Sequence, residues 1–154
     1  MQTPVGRAVL GFAAAVVAVL IFHQGMWAAL HLLNLPGLGM PPPYPVVGVP
    51  PWGVPRIINL CFWGGLYGAV FGLLFPRFTW PGWLCGLITG FIAALVGLIV
   101  VPALKGLPIG AGWVPLNWIR SFLINGSWGL GLGLIFSLFA HFLFRRHRST
   151  ARVA

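Results

Sequence analysis

The side chains able to do chemistry in this sequence are few, and the commonest catalytic kind is missing. Among 154 residues there are four histidines, two cysteines and no Asp or Glu. That excludes carboxylate general acids and bases, carboxylate metal ligands and carboxylate proton relays. His23, Trp27 and His31 recur every four residues and so share one face of a helix. Bis-histidine haem ligation needs two histidines on facing helices at similar depth. His23 and His31 lie on one helix and His141 lies towards the opposite surface, so that geometry fails within one chain. No Cys/His spacing matches a metal site. Ser121, Ser127 and Ser137 have no base and orienting group readable beside them. The expectation is a non-enzymatic protein with no catalytic residue, no metal and no cofactor.

What remains is a polar set inside apolar surroundings: His23, Gln24, Trp27, His31, Asn59 and Asn125, with Arg56, Lys105 and Arg120 as a cationic rim on the same side. Two readings are open. In one, these groups are interhelical glue, each hydrogen bond worth about 0.6 kcal/mol. In the other, they line an outward-facing pocket whose rim suits an anionic headgroup or a small anionic ligand. Cys61 and Cys85 fall at different depths on different helices and read as small apolar fillers.

The elements that must position these groups are helices in lipid. The chain is 59% hydrophobic and 6% charged, too few charges to coat a water-facing surface. Crossing about 30 Å of hydrocarbon takes about 20 apolar residues, and four stretches qualify: residues 8–33, 57–75, 83–101 and 118–144. The first is longer than the ~7–15 residue core of a signal peptide. Prolines bracket the stretches, Pro102 among them, and are expected to end the helices. The fold class is therefore all-α: an integral membrane four-helix bundle forming one transmembrane domain, followed by a basic tail, 145–154. Arg7, Arg77, Arg145, Arg146, Arg148 and Arg152 lie on one side, and Arg56, Lys105 and Arg120 on the other. The positive-inside rule then puts both termini in the cytoplasm of a bacterial inner membrane. The tail arginines are expected on anionic lipid headgroups, with no nucleic-acid partner. The remaining cations look for counter-charge in lipid or in the acidic residues of a homo-oligomer or larger membrane complex.

The loops 41–55 and 102–115 are apolar, aromatic and proline-rich. They are expected to lie on the membrane surface or fold back over the helix ends, with Tyr44, Trp52 and Trp113 at headgroup level. The second and fourth helices look like copies: Trp63-Gly64, Gly68 and Phe71 match Trp128-Gly129, Gly133 and Phe136 at constant offset. Two tandem hairpins related by a pseudo-twofold axis along the membrane normal account for this. Gly64, Gly68 and Gly72, Gly86 and Gly90, and Gly129 and Gly133 form GxxxG steps, which let helix backbones approach closely, within the chain or against a second copy.

The runs Phe22-His23-Gln24-Gly25, Pro50-Pro51-Trp52-Gly53-Val54-Pro55, Phe62-Trp63-Gly64-Gly65-Leu66-Tyr67-Gly68, Pro102-Ala103-Leu104-Lys105-Gly106 and Asn125-Gly126-Ser127-Trp128-Gly129-Leu130-Gly131 resemble a family of small, uncharacterised four-helix inner-membrane proteins of proteobacteria. The resemblance covers nearly the whole chain and implies the same membrane placement, with no activity, ligand or catalytic residue to carry over. The leading expectation is an accessory or scaffold subunit, or a homo-oligomer, assembled through glycine stripes. The alternatives are a small-solute or ion permeation unit with its site at the level of His23, Asn59 and Asn125, and a lipid- or quinone-binding protein lidded by its aromatic loops.

Overall fold

The structure, a computed structural model, describes the backbone of residues 3–150 and the side chains of residues 3–142. The headgroup contacts expected of Arg145, Arg146, Arg148 and Arg152 lie outside the described side chains. Four helices are long and apolar enough to cross a membrane: α1 (Pro4–Leu33), α2 (Arg56–Arg77), α3 (Gly82–Leu104) and α4, whose apolar part is Pro115–Phe142 and whose helical backbone runs to Thr150.

The helix ends differ from expectation for identifiable reasons. α1 starts at Pro4, not residue 8, because the Thr3 hydroxyl accepts the Gly6 N–H at 3.1 Å and Pro4 occupies the first turn, where a missing N–H costs nothing. Likewise α4 opens on Pro115 rather than at residue 118. Pro102 does not end α3. A π turn, Val96–Val100, precedes it, and Pro102 then sits at the start of a fresh α-helical turn, Val101–Leu104. α1 contains a second π turn, Val19–His23. Between α1 and α2 the chain makes a small antiparallel hairpin, β1 (Gly48–Val49) with β2 (Val54–Pro55), in the register Gly48 to Pro55.

Packing follows the glycines. A methyl group added at Gly68 would stand 2.3 Å from the Gly11 carbonyl oxygen, so α1 and α2 meet backbone to backbone. At Gly133 it would stand 2.1 Å from the Gly82 carbonyl oxygen, the same contact between α3 and α4. Such closeness brings many atom pairs into dispersion contact, which helps hold the helices together. α1 also lies along α4: the Ser127 hydroxyl donates to the Phe22 carbonyl at 3.1 Å and the Trp128 indole N–H to the Ala15 carbonyl at 3.2 Å. Strict twofold symmetry would pack α3 on α2 in the same way. Instead α2 and α3 barely touch. Towards the chain termini Phe71, Phe75 and Phe136 close the space between α2 and α4, with ring centroids 5.0–5.4 Å apart. Nearer the loops the space stays open.

Candidate functional site: a lateral cleft between two helices

Where α2 and α3 part, a cavity of about 890 Å³ opens. Val19 and Trp128 lie at its floor, Trp63, Tyr67 and Val70 of α2 form one wall, and Ala93, Val96 and Val100 of α3 form the other. Val49, Pro50, Trp52 and Val54 of the β-hairpin roof its loop end. The lining is mostly apolar, with the Tyr67 hydroxyl on the α2 wall, and its polar groups gather at this end, where His23, Asn59, Lys105 and Asn125 reach it. Beyond His23 lies a smaller chamber of about 390 Å³, lined by Trp27, Arg56, Asn117, Arg120 and Ser121 among others. His23, Leu60, Gly97 and Asn125 line both spaces, so the cleft and the chamber adjoin.

The register of α1 against α2 sets the depth of this polar end. Val19 meets Gly64 and Ala15 meets Gly68, so His23 stands level with Leu60, one turn inside α2. The 30 residues of α1 span about 45 Å, and its last turns rise past the start of α2. The loop between α1 and the hairpin folds back along this projecting end through Met40, Pro41 and Tyr44. The Trp27 indole donates to the Pro41 carbonyl at 2.8 Å, His31 Nδ1 meets the Met40 carbonyl at 2.7 Å, and the Tyr44 N–H donates to Gln24 Oε1 at 2.6 Å. In the π turn the Gln24 N–H points to the Val19 and Ile21 carbonyls, and the skipped Leu20 carbonyl accepts the Tyr44 hydroxyl at 2.9 Å.

These bonds fix the protonation pattern of His23. A backbone N–H only donates, so the Gln24 atom facing Tyr44 is its oxygen, and the atom 3.2 Å from His23 Nδ1 is its NH₂. Nδ1 of His23 is thus an acceptor, and the proton of the neutral ring sits on Nε2. His23 makes no second hydrogen bond among the described residues, and it is 93% buried in contact with both spaces. Its free edge is a hydrogen-bond donor.

The sequence-predicted residues thus divide. His23, Asn59, Lys105 and Asn125 come together at the cleft, and His23, Trp27, Arg56, Arg120 and Asn125 at the chamber. Gln24 and His31 do not reach either space, because they strap the loop to α1. The stripe glycines Gly64, Gly68, Gly72, Gly86, Gly90, Gly129 and Gly133 are all taken up inside the chain, against α1, α3 or α4. Asn125 donates to the Ser121 carbonyl at 2.9 Å, and Arg120 donates to Asn117 Oδ1 at 2.8 Å. Sequence reasoning missed Trp63, Tyr67, Trp128, Gly97, Asn117 and Ser121. The i,i+3 and i,i+4 spacing of Asn117–Arg120 and Ser121–Asn125 was a usable signal. The cleft itself had none, because apolar residues facing a void look like apolar residues facing lipid. No protein-family profile, no curated protein and no solved structure matches this chain.

Proposed function

We propose that this chain is a multi-pass membrane protein, a four-helix bundle of two tandem hairpins, that takes an amphiphile from the bilayer into the cleft between α2 and α3. The observation that carries the reading is the cleft: about 890 Å³, apolar along its length, polar at one end and opening sideways between two spanning helices. Its volume suits a small-molecule ligand. A chain diffusing in lipid enters such an opening without crossing water. Exposed Ile58, Phe62, Ile92 and Leu138 on the outer faces support a lipid surround. The distribution of basic residues favours cytoplasmic termini, and the resemblance to small inner-membrane proteins agrees with that placement.

Assembly through the glycine stripes has less support, because those surfaces are already filled by the chain's own helices. Permeation has less support: beyond the His23 level the cleft is lined by Val19, Val70 and Ala93 with Tyr67 as its one polar side chain, and further along α2 the Phe71, Phe75 and Phe136 rings pack together. Native mass spectrometry after mild extraction tests the reading. Gly97 lines the cleft, and a Cβ added there meets nothing within 4 Å. Gly97→Phe should therefore fill the cleft without disturbing the helices. Wild type is expected to retain one lipid-sized molecule that Gly97→Phe loses. Identical spectra for the two proteins would overturn the proposal.

A further inference from the structure

The chamber beyond His23 is chemically unlike the cleft it adjoins. Arg56 and Arg120 both line it, and the chain contains no Asp or Glu to neutralise either. The Arg120 guanidinium is steadied by Asn117 Oδ1 at 2.8 Å, while that of Arg56 makes no hydrogen bond among the described residues. Between chamber and cleft stands His23, whose Nδ1 is occupied by Gln24 and whose free edge donates. Donors and positive charge therefore converge on a small space that offers few acceptors. Arginine forks and a ring N–H of this kind suit an oxyanion, a phosphate or a carboxylate.

Resting on the reading of the cleft as a lipid-binding site, we infer that the chamber is an oxyanion site for the headgroup of an anionic amphiphile whose apolar chain lies along the cleft. The two spaces share His23, Leu60, Gly97 and Asn125, so one molecule occupies both, with its headgroup at the loop end and its chain pointing towards the Phe71–Phe136 seal. Arg56 is the entry contact, being exposed at the first residue of α2, and Arg120 is the inner, partly buried one. A free anion satisfies the same donors, so the source of the oxyanion is separated by experiment.

The test is native mass spectrometry of the full chain in detergent, titrated in parallel with phosphatidic acid, with diacylglycerol of the same acyl chains and with inorganic phosphate. Phosphatidic acid is expected to bind at least about tenfold more tightly than diacylglycerol, as charge-assisted hydrogen bonds imply. The pair Arg56→Gln and Arg120→Gln is expected to bring the two lipids within about threefold of each other while both still bind. Gly97→Phe is expected to abolish binding of both. Equal affinity of wild type for the two lipids, or unchanged selectivity in the double variant, would overturn the oxyanion site while leaving the cleft intact. Inorganic phosphate binding as tightly as phosphatidic acid would overturn the amphiphile as its source. Failure of both lipids to bind would remove the reading of the cleft itself.

Discussion

At the residue scale, Gln24 and His23 show how adjacent buried polar groups divide their work. Gln24 is fully buried, and both ends of its amide are engaged, the oxygen by the Tyr44 N–H and the nitrogen by His23. It is the glue anticipated for intramembrane polar residues, although it binds a returning loop rather than a neighbouring helix. Gln24→Leu should leave the Tyr44 N–H and His23 Nδ1 without partners. A buried unsatisfied group costs about 1–3 kcal/mol, so the variant is expected to unfold that much more readily in a steric-trapping or SDS titration. Tyr44→Phe removes one exposed hydroxyl bond to Leu20 and is expected to cost about 0.5–1.5 kcal/mol in the same assay. A larger loss from Tyr44→Phe than from Gln24→Leu would reverse the assigned roles. The histidine at position 23 was visible in the sequence as the polar residue to examine. Its Nε2 proton was not, because that follows from the Tyr44 N–H, 20 residues beyond Gln24.

At the element scale, glycine separates helix contacts that tolerate a side chain from those that do not. A methyl group at Gly86 would stand 2.2 Å from the Gly129 carbonyl oxygen, and backbone cannot swing aside as a flexible side chain can. Gly86→Val should force α3 off α4 and cost about 3 kcal/mol or more. At Gly25 nothing lies within 4 Å, so Gly25→Ala should change stability little or raise it by about 0.5–1 kcal/mol through helix propensity. Reversible unfolding in mixed micelles ranks the two, and equal effects would contradict the packing described. The four long apolar helices were legible because an apolar run of about 20 residues has few other uses, and the GxxxG glycines fall at close backbone contacts. The π turns were not legible. Nothing in Val96-Gly97-Leu98-Ile99-Val100 announces a widened turn, and it is that turn which carries α3 through Pro102 to Leu104.

At the scale of the whole molecule, the broken pseudo-symmetry produces the cleft. The repeat in α2 and α4 predicts equivalent surroundings, yet α4 is embraced by α1 and α3, while α2 packs closely on α1 alone. The sequence carried the likeness of the two helices and not this difference, since the void is bordered by the same Val, Leu and Trp residue types that are exposed on the outer faces. Membrane placement gives its own expectation. Single cysteines introduced at Thr3 and Trp80 should react with an impermeant maleimide only in inside-out vesicles, and one at Trp52 only in right-side-out vesicles. Labelling of Thr3→Cys and Trp52→Cys from the same face would contradict the topology.

The most direct test of the central claim, that the opening between α2 and α3 holds a lipid chain, is photo-crosslinking in nanodiscs. The probe is a phospholipid with a diazirine midway along one acyl chain, and labelled sites are mapped by peptide mass spectrometry. The account predicts labels concentrated at Val70, Ala93 and Val96 in the wild type, and lost from those residues in Gly97→Phe. Labels spread evenly over outward-facing Val9, Phe62 and Phe142, with the cleft residues no more reactive than these, would contradict it.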